Sequence, residues 1–90
     1  MKTRREILEH LYDLAHEDKI AFEIGIRNLE TMPEDRIIES KLAKTPLGIK
    51  EVILKPKDKI EEFREEIKAK ELTMENLKKA IKEENAKQQS

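Results

Sequence analysis

Ile20-Ala21-Phe22-Glu23-Ile24-Gly25-Ile26 decides the fold, because the periods that distinguish helix from strand both pass through it. Read in steps of two, Ile20, Phe22, Ile24 and Ile26 make one apolar face against Ala21, Glu23 and Gly25, the pattern of a half-buried strand. Read in steps of three and four, Phe22 and Gly25 belong to a longer series of Leu8, Leu11, Ala15, Asp18, Phe22, Gly25, Leu29 and Met32. Six of those eight positions are apolar, and they lie along one stripe of a single helix. Ile7, Leu14, Ala21 and Ile26 widen the stripe to that of a bundle helix. No Gly, Pro or Asn cluster separates Ala15 from Ile20, so helix is the preferred reading of the stretch.

Outward from that stretch, Thr3 and Glu6 form a capping-box pattern: the hydroxyl accepts from the third helical amide and the carboxylate reaches back to the Thr3 amide. At the other end Pro33 disfavours helical geometry at Met32, so the first helix is expected over 4–32. Glu34 and Asp35 then suit the first turn of a second helix over 34–44, with Ile37, Ile38 and Leu42 as its apolar side. Thr45-Pro46-Leu47-Gly48 ends it. Ile49 to Leu54 reads equally as a third helix begun by Thr45 and Pro46 or as a short strand containing Val52, Ile53 and Leu54.

Pro56-Lys57-Asp58 opens a last helix, expected over 57–85, along which Ile60, Phe63, Ile67, Lys70, Met74, Leu77, Ile81 and Glu84 repeat the same spacing. A local start signal at Thr73, with Leu72 and Leu77 placed as a hydrophobic staple, leaves a bend over 70–73 open. Residues 86–90 are expected to fray, which makes 1–85 the single domain. The architecture so read is all-α, a small up-down bundle with long first and last helices. Its alternative is α+β, with strands near 20–26 and 49–54; two strands are too few for an independent sheet, so that version needs a partner chain.

The bulk of the 90-residue chain narrows the function. Charged residues make up 43% and the net charge is -1, without the basic excess of a phosphate-tracking domain. The absence of cysteine removes disulfides, thiolate metal sites and thiol catalysis, and makes an intracellular, cytoplasmic address the default. Met1-Lys2-Thr3-Arg4-Arg5 runs into Glu6 with no apolar stretch behind it, so it does not read as an export signal. No run of 18 apolar residues exists to span a membrane. Fourteen Lys and 16 Glu against three Asn and two Gln form a bias seen in proteins of high-temperature organisms.

Candidate chemistry is sparse. Glu6, His10, Asp13 and Glu17 share one helix face and carry metal-ligating atoms, but a single outward face reads as a solvated surface. His16 has no nucleophile beside it. Neither Gly25 nor Gly48 has the second glycine that a phosphate-binding loop needs. No enzyme, cofactor or metal is expected. Asp18 and Lys70 each stand fourth of eight in their stripes; if the first and last helices ran parallel, the two residues would share a layer and fix register. The function expected is a protein-protein interaction or assembly module, a homodimeric adaptor or regulator. Its seam would be Leu8, Leu11, Ala15, Asp18, Phe22, Leu29, Ile60, Phe63, Ile67, Lys70, Met74, Leu77 and Ile81. The runner-up is a DNA-binding regulator that uses Lys78, Lys79 and Lys82 on a helix over 73–87.

Overall fold

The computed structural model describes residues 1–89, the last two by their backbone alone. Helix α1 runs Arg4–Glu30, strands β1 and β2 run Glu39–Thr45 and Gly48–Leu54, and helix α2 runs Pro56–Gln89. The chain is therefore α+β, and the all-α reading is corrected: two long helices carry an antiparallel β-hairpin between them.

Local chemistry starts both helices. The Thr3 hydroxyl accepts from the Glu6 amide at 3.2 Å and faces the Glu6 carboxylate at 3.3 Å, so the box closes on the hydroxyl and not on the Thr3 amide. Pro56 occupies the first position of α2, where its missing N–H costs nothing, and Asp58 Oδ2 accepts from the Lys55 amide at 2.9 Å. α1 stops at Glu30, two residues before the expected end, with Thr31 as C-cap. α2 continues through 70–73 without a break, because the Thr73 hydroxyl donates to Ala69 O one turn back and does not cap a new helix. It also passes the expected end near 85 and reaches Gln89; Ser90 lies outside the described residues.

The two segments between the helices depart from the preferred reading. The helix expected over 34–44 is replaced by a turn and β1, and of the two readings left open for Ile49 to Leu54 the strand is the one observed, as β2. The alternative placed its second strand correctly at 49–54, whereas its first, at 20–26, lies inside α1. The cause is the turn. Gly48 has φ 123°, a region that favours glycine, so Pro46 and Leu47 reverse the chain and do not begin a helical turn. That reversal sets seven residues of β1 against seven of β2, from Glu39 opposite Leu54 to Thr45 opposite Gly48. A helix of eleven residues is marginal by itself, whereas here a neighbour satisfies the backbone and Ile49, Val52 and Ile53 suit a pleat.

The helices pack antiparallel, as the Arg4–Glu84, Asp18–Lys70 and Phe22–Phe63 contacts establish. The expectation that they run parallel is corrected, since a single hairpin joins them. Extents of 60 × 35 × 22 Å and a radius of gyration of 19.1 Å describe a rod. A compact chain of this length would have a radius of gyration of about 12 Å. The core is correspondingly thin: Ala15 (6% exposed) and Leu29 (7%) are its buried hydrophobic side chains among the described residues, with Pro56 buried at the base of α2.

Candidate interaction surface

The two stripes read from the sequence meet one another. On α2 the expected positions Ile60, Phe63, Ile67, Lys70, Met74, Leu77 and Ile81 are all half-buried. On α1, Leu8 and Phe22 are half-buried and Ala15 and Leu29 buried, while Leu11 and Asp18 are exposed. Their places are taken by Tyr12 and Lys19, one residue further on, and Ile26 joins Gly25 at the next turn. The observed seam of Leu8, Tyr12, Ala15, Lys19, Phe22, Ile26 and Leu29 keeps the three-four spacing but rotates by up to one residue about α1.

Two of the added residues were disguised by their polar ends. Lys19 lies along the seam and sends its ammonium to Glu71 at 3.6 Å, and Tyr12 carries Lys78 over its ring at 5.7 Å. The available signal was that Tyr and Lys both carry apolar bodies at helical spacing. Nearer the hairpin, Phe22 and Phe63 meet edge to face at 5.3 Å, and Phe63 also lies against Gly25. Asp18 and Lys70 pair at 3.4 Å even though the helices run opposite ways, because the fourth of eight positions is near the middle counted from either end. Asp18 is exposed and so needs no partner to offset burial.

Much apolar surface remains open once the seam has closed. Ile7, Leu11 and Leu14 form one exposed stripe on α1, Ile20 and Ile24 a second, and Leu72 stands alone on α2. Apart from Met1 at the N-terminus, the most exposed large apolar side chains, Leu47, Leu42 and Ile49, are on the hairpin. Ile37 and Leu47 are exposed at its two ends, and the outer face carries Leu42 (77%), Ile49 (69%) and Ile53 (44%). Ser40, Lys44 and Glu51 complete that face, with Ser40 donating to Glu51 at 2.6 Å. The inner face holds Glu39, Lys41, Ala43, Val52 and Leu54. Here Glu39 accepts from Lys59 of α2 at 2.8 Å and lies 3.6 Å from Lys41. The Lys59 hydrogen bond holds the Glu39 carboxyl below its usual value, and Glu39, then Glu62, hold the Lys59 ammonium above its own.

The other candidate groups are placed as follows. Glu6, His10, Asp13 and Glu17 are all exposed on α1, and among the described residues no three His, Asp or Glu side chains are arranged to hold a metal ion. Lys78, Lys79 and Lys82 are all exposed on the continuous α2, with Lys78 over the Tyr12 ring and Lys79 3.7 Å from Glu75. Among the described residues, no helix is long and apolar enough to cross a membrane. The class defined is a helical hairpin that carries an exposed β-hairpin. No family model matches the chain, and no curated protein or solved structure matches it significantly.

Proposed function

We propose that this protein is a non-catalytic assembly module that works as a homodimer. The observation that supports this is the ratio of exposed to buried apolar side chains: with its helical seam closed internally, the chain still leaves open the α1 stripes and the hairpin. Burying a Leu or Ile side chain is worth roughly 1.5–3 kcal/mol, so a companion surface is the largest stabilising contribution still open to the chain. The helical seam is therefore internal to each copy, in place of the intermolecular role first expected for it, and association uses what remains outside. A cytoplasmic setting suits a cysteine-free chain, which needs no oxidising compartment to fold.

Sedimentation over a range of protein concentrations tests the reading. The expected result is a species of twice the 10.6 kDa chain mass that dissociates on dilution. A well-folded monomer at every concentration refutes it.

A further inference from the structure

We propose that two copies join through strand β1, whose free edge pairs antiparallel with itself across a two-fold axis at Leu42 to give a four-stranded sheet, β2-β1-β1-β2. The proposal rests on the self-association reading and names the surface that carries it.

Three observations lead to it. The hairpin is the whole of the described sheet, and two strands seldom hold together in water without a third or a covering layer. The backbone of β1 approaches no element but β2, and β2 otherwise meets only α2, the helix that follows it after Lys55. Alternate residues of the seven in β1 thus turn unpaired N–H and C=O groups to the outer edge, with no proline to interrupt them, the arrangement that templates another strand.

The partner is a second copy because the β1 sequence is complementary to itself. The register that pairs all seven residues sets Leu42 against Leu42 of the second copy, Ser40 against Lys44, Lys41 against Ala43 and Glu39 against Thr45. No like charges meet, and two leucines pack at the centre of the outer face. The corresponding full-length pairing of β2 would set Glu51 against Glu51 on one face, which is unfavourable. Sliding β1 by one pair to centre on Lys41 would oppose two ammonium groups, and sliding it the other way to centre on Ala43 would set Ser40 against Pro46 beyond the strand, so charge disfavours the first and length the second.

Single cysteine substitutions in this cysteine-free chain test the geometry. Directly opposed residues in an antiparallel pair have Cβ atoms about 4.5–5.5 Å apart, within reach of a disulfide after small adjustment. Mild oxidation of the Leu42→Cys variant is expected to give a covalent dimer, while Ile49→Cys and Leu11→Cys remain uncoupled. Leu42→Lys, at a position already exposed in the single chain, is expected to keep its circular dichroism and raise the dimer dissociation constant at least about tenfold.

The outcomes separate. Cross-linking of Leu11→Cys or Ile49→Cys but not of Leu42→Cys, or unchanged dimerisation of Leu42→Lys, overturns the β1 interface and leaves the assembly reading standing. A wild-type chain that sediments as a monomer removes both.

Discussion

At Gly25 the backbone of α1 comes close to the Phe63 side chain of α2, and replacing it tests whether the seam has the geometry described. A Cβ at this position would lie 2.7 Å from Phe63 Cε2 and 3.1 Å from Cδ2, well inside van der Waals contact. Two effects oppose one another in Gly25→Ala. Helix propensity favours alanine by about 1 kcal/mol. Forcing a methyl group into a filled space costs about 1–3 kcal/mol. Moving the Phe63 ring aside disturbs its edge-to-face contact with Phe22, which is worth about 0.5–1.5 kcal/mol. The clash outweighs propensity, and the expected net loss is about 1 kcal/mol, or about 4–8 °C in Tm for a domain of this size. In a Phe63→Leu background the ring atoms facing Gly25 are gone, so the same substitution should stabilise by about 1 kcal/mol. The assay is urea denaturation of the four proteins followed by circular dichroism at one fixed concentration, since an associating chain has concentration-dependent stability. Equal effects of Gly25→Ala in the two backgrounds would refute the close approach, because residues in contact must show a coupling energy.

Other expectations follow from burial and charge. Leu29→Ala should lose about 2–5 kcal/mol in the same denaturation series, whereas Leu72→Ala, at 59% exposure, should stay within about 0.5 kcal/mol. Asp18→Ala should cost less than about 1 kcal/mol, because its pair with Lys70 is solvent-exposed; a larger loss in thermal unfolding would mean that the pair is buried in the assembled state. Glu39 is held below its usual carboxyl value, so its stabilising contribution is complete above the unfolded-state value and is lost as pH falls through the lower folded one. Lys59 is held above its usual value, so its contribution is present below that value and is lost as pH rises through the higher folded one. Stability attributable to the pair should therefore form a plateau through neutral pH. Glu39→Gln should remove the acid-side step from the pH dependence of Tm, and an unchanged acid limb would contradict the assignment.

Where the chain bends and where its helices begin was legible in short stretches. Thr3 with Glu6, Pro33 after the first helix, and Pro56 before the second each act through bonds or steric contacts within four residues, so no distant partner was needed to read them. The α2 seam was legible for the same reason, its apolar residues repeating on a polar ground. Leu42 and Val52 were another matter. Periodicity over so few residues does not separate helix from strand, and the hydrogen bonds that make β1 and β2 strands come from a neighbour placed by the Pro46–Gly48 reversal.

The seam on α1 shows the same division at finer scale. Leu11 and Tyr12 compete for one turn of the interface, as do Asp18 and Lys19, and a choice by hydropathy alone takes the leucine. The structure takes the residue whose side chain points at the antiparallel partner, because a half-buried tyrosine ring lies under the Lys78 ammonium and a lysine stem in the seam still carries its own ammonium to Glu71. Sequence by itself determined two amphipathic helices, their starts and the breaks between them, since those depend on local backbone chemistry. Only the tertiary structure decided their antiparallel direction, the rotation of α1 and the existence of the hairpin, because each depends on contacts between residues far apart in the chain.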